Sequence, residues 1–161
     1  MNVSILICSH SGNTLKLGEQ VSDILMQAGH QVNLTTLASE PRLDPKKPTP
    51  AKDFKITNLP DLSGADIVLV GGPVWGFRPC PLLIKAMDSL GGRLTGKKVL
   101  TFVTHSFPWA WMTGNSSLNS LRRLAANAGA QVAGGVVLSG AGRRNMDSYA
   151  ATARKIAALV K

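Results

Sequence analysis

Five short runs of β-branched and aliphatic residues alternate with longer segments of helical period, and this alternation limits the fold more than any other feature. The runs are Val3–Cys8, Gln31–Leu37, Ala65–Gly72, Lys98–Thr104 and Gln131–Leu138. Val3–Cys8 and Ala65–Gly72 are apolar almost throughout, as expected of parallel strands buried on both faces. After the first run, Asn13 or Thr14 opens a helix with Leu15, Val21, Ile24 and Leu25 at core spacing, stopped near Gly29. Pro81–Leu90 is helical up to Gly91-Gly92, Ser117–Ala128 up to Gly129, and Met146–Val160 is the last helix. Repeated strand–helix–strand units with right-handed crossovers build an open doubly wound α/β sheet with helices on both faces. The exception is Ala38–Leu62, where Pro41, Pro45, Pro48, Pro50 and Pro60 imply a long surface connection. The whole chain, 1–161, suits a single domain.

No apolar run approaches the ~20 residues of a membrane span, so membrane insertion is not expected. The first residues lack the basic start and cleavage pattern of a secretory signal, and a cytoplasmic protein is expected. Cys8 and Cys80 are too few for a disulfide framework or a four-thiolate cluster and read as small buried residues. The 18 Lys+Arg against 9 Asp+Glu leave a net charge of +9, which attracts acidic partners. The basic residues are scattered in short pairs, without interleaved aromatics or a helix-turn-helix or zinc-finger spacing, so nucleic acid is not the expected partner.

In a doubly wound sheet, ligands bind beyond the carboxyl ends of the strands, and three of the loops there carry chemistry. Ser9-His10-Ser11-Gly12-Asn13-Thr14 joins the first strand to the first helix. Its hydroxyls, backbone N–H groups and helix N-terminus suit a phosphate, and Gly12 lets the backbone fold around the anion. With no Lys or Arg in the loop, neutral donors must suffice. The bland alternative is a serine-rich turn that only caps a helix. A tyrosine-phosphatase Cys-x5-Arg loop would need arginine where Thr14 stands, and neither Gly-x4-Gly-Lys-Ser/Thr nor Gly-x-Gly-x-x-Gly occurs here.

The second loop, Gly71 to Pro79, offers Pro73, Val74, Trp75, Gly76 and Phe77, and the third, after Thr104, offers His105, Ser106, Phe107, Trp109, Trp111 and Gly114. All 3 tryptophans fall on these two loops, which points to a flat aromatic ligand between them. Trp75, flanked by Gly and Pro after a strand, is expected in a loop rather than on a packed face. His10 and His105 lie on loops, and His10 is expected to face solvent. No Ser/His/Asp or metal-ligand spacing is present, so the chemistry must come from a cofactor.

The first loop closely resembles the phosphate loop of flavodoxins, Ser/Thr-x-Ser/Thr-Gly-Asn-Thr, at all five specified positions. Gly71–Gly76 looks like that family's first isoalloxazine loop, where a peptide can turn over on reduction; Gly76 matches that position. The resemblance spans the chain through the order of its elements and implies the short-chain type, strand order 2-1-3-4-5 and one FMN. It implies contacts from Ser9, His10, Ser11, Gly12, Asn13 and Thr14 to the phosphate side. It also implies contacts from Pro73, Val74, Trp75, Gly76, Phe77, Thr104, His105, Ser106, Phe107, Trp109 and Gly114 to the rest of the cofactor. The family's tyrosine on the far side is missing, the only Tyr being Tyr149 in the last helix.

Two function classes follow. The first is an electron carrier passing electrons between redox partner proteins, here with acidic docking faces because this chain is basic; a monomer is expected. The second is an NAD(P)H-dependent FMN oxidoreductase acting on a quinone or flavin. The carrier is preferred, since the short loops leave little chain for a nicotinamide pocket.

Overall fold

The computed structural model describes residues 1–47, 49–109 and 111–161. Pro48 of the proline-rich connection and Ala110 of the third loop lie outside the described residues. The strands are β1 (Asn2–Ile7), β2 (Gln31–Thr36), β3 (Ser39–Glu40), β4 (Lys55–Ile56), β5 (Ile67–Trp75), β6 (Arg78–Pro79), β7 (Lys98–His105) and β8 (Gln131–Ser139). The helices are α1 (Asn13–Gln27), α2 (Pro81–Leu90), α3 (Gly114–Asn127) and α4 (Met146–Ala157).

The five expected strands form one parallel sheet in the order β2-β1-β5-β7-β8, which is 2-1-3-4-5 among the major strands. Period-two alternation divides the core between the two faces of this sheet. Ile5, Ile7, Leu69 and Phe102 point to one face, where Leu17, Val21 and Leu25 of α1 meet Tyr149, Ala153 and Ile156 of α4. Leu6, Cys8, Val70 and Val103 point to the other, covered by Leu83, Ala86 and Met87 of α2 and Leu118, Leu121 and Ala125 of α3. Both cysteines are buried free thiols.

The Ala38–Leu62 connection is more than surface filler. Antiparallel β3 and β4 pair within it, a turn of 3-10 helix spans Ala51–Asp53, and Leu43, Phe54 and Leu62 are buried in the core under α2. Lys85 of α2 donates to the Phe54 carbonyl and lies 4.4 Å from that ring's centre. The connection occupies the crossover between β2 and β5 that a helix would otherwise fill.

Two expected boundaries move. β5 runs on to Trp75, past Pro73, and turns back as β6 in an antiparallel hairpin. Helix α3 begins at Gly114, three residues before Ser117. The first change places Pro73–Trp75 in a strand instead of a loop; the second places Gly114 in a helix.

Close packing at the sheet centre has a testable consequence. A Cβ on Gly71 would lie 2.1 Å from the ring of Phe102, which is fully buried. Neither the strand nor the enclosed ring can yield that distance. Gly71→Ala is expected to destabilise the protein by about 1–3 kcal/mol or more, as for an overpacked core. Urea unfolding measures it; an unchanged midpoint would refute the packing.

Candidate functional site

The first loop is built to leave donors free. Gly12 holds φ 86° just before α1 and offers no side-chain cap, and the first turn has no acidic residue. The N–H groups of Asn13 and Thr14 at the start of α1, and its positive dipole end, are therefore available to an anion. Ser9 Oγ accepts from Leu15 N at 3.2 Å, and Ser11 Oγ accepts from Asn13 Nδ2 at 3.0 Å. Each hydroxyl thus uses a lone pair and keeps its proton to donate.

Asn13 is in turn oriented by Tyr149, whose hydroxyl donates to Asn13 Oδ1 at 3.0 Å and accepts from Gly142 N at 3.0 Å. Thr14 differs from the serines. It is buried, and its hydroxyl shares a 2.8 Å hydrogen bond with Thr104 at the end of β7. That bond joins the first loop to the third.

The second loop is a two-residue hairpin turn. Val74 pairs with Pro79 and Trp75 with Arg78, leaving Gly76 and Phe77 at the tip with φ 54° and 69°. Positive φ at both positions gives a type I′ geometry that matches strand twist. Glycine takes it freely, but a bulky ring there is strained. Phe77 is nevertheless 67 % exposed. Trp75 is half-buried, packs on the core and meets the edge of exposed His10, with ring centres 5.9 Å apart at 88°. It is both a packing residue and a wall of the site.

The third loop starts one residue later than expected, because His105 is the last residue of β7 and is buried at 5 % exposure. Beyond it Phe107, Trp109 and Trp111 are exposed, with the two indoles stacked at 6.2 Å and 19°. Hydrogen bonds from Gly140 N to the Phe107 carbonyl and from Arg144 to the carbonyls of Pro108 and Ser139 hold the loop against the end of β8. Ser117 Oγ of α3 donates to the Phe77 carbonyl at 3.3 Å, tying the hairpin to this side.

Between the second and third loops lies a cavity of about 220 Å³ lined by Val74, Gly76, Phe77, His105, Ser106, Phe107 and Thr113. On the other side of Trp75 a cleft of about 290 Å³ is lined by Ser9, His10, Arg42 and Cys8, among others. His105 Nε2 is 3.2 Å from Ser139 Oγ, whereas its Nδ1 is buried without a partner. Burial lowers the pKa of His105 from 6.5, which favours the neutral ring.

Expected site residues are thus brought together: Ser9–Thr14, Val74–Phe77 and Thr104–Phe107 ring one edge of the sheet. Gly114 contributes space; a Cβ there would lie 2.6 Å from His105 Nε2. Trp109 stands at the rim, stacked on Trp111. Sequence reasoning missed Tyr149 and Thr113. A buried tyrosine hydroxyl on an otherwise apolar helix face needs a partner, and a threonine before a helix is a cap by type; both were signals.

The donor set fits FMN. A phosphate group meets neutral donors and a helix N-terminus, and a flat heteroaromatic ring meets aromatic walls and buried polar atoms that lack partners. Fold and site define a flavodoxin-like FMN protein. The chain belongs to the NADPH-dependent FMN reductase family, whose profile matches residues 1–144. With that family goes FMN as cofactor.

Solved structures show the same fold at low identity. Flavodoxin 2 from Bacillus cereus is 18% identical with a TM-score of 0.74, covering 99% of this chain and 98% of its own. A Streptococcus pneumonia flavodoxin is 16% identical, TM-score 0.69, with coverage of 99% and 97%. A flavodoxin, WrbA-like protein from Agrobacterium tumefaciens is 14% identical, TM-score 0.66, with coverage of 98% and 94%. No protein of curated function is similar enough in sequence to match. No helix among the described residues is long and apolar enough to cross a membrane.

The buried imidazole makes stability depend on pH. A histidine with a depressed folded pKa resists protonation only in the folded state, so acid favours unfolding. Its contribution is complete above the unfolded value of 6.5 and declines as pH falls below it, toward the lower folded value. Apo-protein should lose unfolding free energy between pH 7 and 5, and less so in His105→Gln. Equal losses in both proteins would show that His105 does not titrate this way.

Proposed function

We propose that this chain is an FMN electron carrier that exchanges electrons with partner proteins across the rim formed by Phe77, Phe107, Trp109 and Trp111. The observation that carries this reading is the rim itself. Its four large rings are exposed on the two loops that flank the cavity, and Trp111 is 72 % exposed. Exposed aromatic patches on soluble chains mark contact surfaces, and aromatic anchors dominate binding energy there. The net charge of +9 favours partners with acidic faces. The reading includes a monomer in a cytoplasmic setting.

The residues divide the work. Ser9, Ser11, Gly12, Asn13 and the start of α1 hold the phosphate, with Thr14 fixing the loop to Thr104. His10 braces Trp75. The β5–β6 hairpin and the His105–Trp109 stretch flank the ring and exclude water from it. FMN, once bound, supplies reversible one- and two-electron exchange; the protein supplies orientation and electrostatics.

A second reading, an NADPH-dependent reductase, is favoured by the family description and by one local feature. Residues 73–80 and 105–115 contain no Asp or Glu, and Arg78 lies among them. These two segments therefore set no carboxylate of their own against negative charge gained by the cofactor, which eases two-electron chemistry.

Two measurements bear on these readings. Ser11→Ala should weaken FMN about tenfold or more while leaving riboflavin nearly unchanged, because only FMN presents a charged acceptor to that hydroxyl. Equal losses for both flavins, by calorimetry, would remove Ser11 from the phosphate site. FMN-loaded protein mixed with NADPH and menadione, without any reductase, should show no steady turnover if it is a carrier. Many turnovers per second would establish the reductase instead.

A further inference from the structure

We propose that Cys8 and Cys80 are a redox-active pair, in which Cys8 meets hydrogen peroxide from the cleft beside Trp75 and Cys80 closes a reversible disulfide onto it. Neither thiol needs a flavin for this chemistry, so it stands apart from the cofactor reading.

The chain has 2 cysteines, and the fold brings them together. Cys8 follows β1 and donates its N–H to the Gly71 carbonyl at 2.9 Å. Cys80 stands just before α2 and donates its N–H to the Pro73 carbonyl at 3.1 Å. Both residues are thus pinned to β5, on either side of Gly72. A Cβ on Gly72 would lie 3.6 Å from Cys8 Cβ and 3.6 Å from Cys80 Sγ, so the two side chains converge where this glycine has none. The thiols share a hydrogen bond. Sulfurs already in that contact need close only to the ~2.05 Å of a disulfide.

Exposure divides the roles. Cys8 lines the 290 Å³ cleft with Ser9, His10 and Trp75, whereas Cys80 is fully buried. A small oxidant therefore reaches Cys8 first. Burial, and after it the hydrogen bond with Cys8, pushes the Cys80 thiol up, which keeps Cys80 protonated until it is called on. The Cys8 sulfur attacks one peroxide oxygen, the O–O bond breaks, and water leaves as Cys8 becomes a sulfenic acid. The Cys80 sulfur then attacks the Cys8 sulfur. The S–O bond breaks, and the Cys80 proton departs with the hydroxyl as a second water. Two thiols have then given two electrons to one peroxide. A dithiol reductant reverses the step by attacking the Cys8 sulfur, which returns Cys80 to the thiol, and its second sulfur then releases Cys8.

The placement gives this bond a structural consequence. Cys8 directly precedes Ser9 of the first loop, and Cys80 directly follows the β5–β6 hairpin. A disulfide here joins the bases of two loops that ring the candidate site.

The test treats the purified protein with hydrogen peroxide, alkylates it in denaturant and maps the peptides without reduction. The wild type should lose both alkylatable thiols together, with a loss of two hydrogens in mass and a peptide joining Cys8 to Cys80. Dithiothreitol should restore both thiols. In Cys80→Ala, Cys8 should accumulate as a sulfenic acid that dimedone captures; in Cys8→Ala, Cys80 should stay a free thiol. Exposed Met26 and Met146 report that the oxidant has acted. Both thiols still alkylatable once those methionines are oxidised would overturn the pair. So would a disulfide between two chains, or Cys8 carrying two oxygens beside a free Cys80 in the wild type. The wild-type map requires no variant, so it decides the matter even where a substitution disturbs the core.

Discussion

Parallel pairing of β1, β5 and β7 is the constraint on which the site depends. Ile7 lies beside Gly71 and Pro73 beside Thr104, so three strands end within a few residues of one another at the same edge. Only a sheet buried on both faces can hold that register, since a slip of one residue would turn each apolar set to the wrong face. Gly71 is the tightest point of this arrangement, with the Phe102 ring filling the space above it. The Thr14–Thr104 hydrogen bond then fastens the first loop to the third across the strand between them. Loop positions in this protein are consequences of strand register more than of loop sequence.

Rigid support permits strain at the rim. Left-handed geometry at a bulky residue costs of order 1–3 kcal/mol, and the hairpin holds Phe77 there because two strand pairs and the Ser117–Phe77 bond overdetermine it. The ring gained by this arrangement faces solvent, so its burial returns nothing to the isolated fold. Unpartnered His105 Nδ1 and Thr113 Oγ1 are a second cost at the same place. Local rules broken together around one cavity mark where folding stability is traded for binding.

Most of the scaffold was legible because its signals are local and redundant. Five apolar runs, helix-stopping glycines and Pro81 at the start of α2 each follow from short-range chemistry, and the strands fell where the runs were. Strand order was not legible from periodicity and came through the resemblance of Ser9–Thr14 to a known loop. Pro73 misled, because a proline usually ends a strand. It is accommodated here where β5 exchanges β1 for β6, its carbonyl accepting from Cys80 N at 3.1 Å. The burial of His105 was hidden for a different reason. It requires the missing side chain of Gly114, the last residue of β8 and the start of α3, which tertiary structure alone brings together. The Ala38–Leu62 connection packs Leu43, Phe54 and Leu62 under α2 by contacts that no periodic pattern announces.

Charge and shape act at different ranges here. The Ser9–Thr14 loop contains no Lys or Arg, and the basic residue placed beside it is Lys16 of α1, 4.6 Å from the centre of the Tyr149 ring that orients Asn13. A dianion held by hydroxyls, amides and a helix end keeps the local field modest, whereas the whole chain projects a positive potential beyond the Debye length of about 8 Å only weakly. On the carrier reading, the spread positive charge favours encounters with acidic surfaces without choosing their orientation. Orientation must come from the short-range rim, where Trp109 and Trp111 stack and Phe77 and Phe107 stand over the cavity. Arg144 links the two scales: its guanidinium binds the carbonyls of Pro108 and Ser139, fixing the aromatic loop with a cation instead of leaving that charge to solvent. On that reading a partner that neutralised the field without matching the rim would collide often and seat poorly, and the aromatic loop would be the part of this surface that sets specificity.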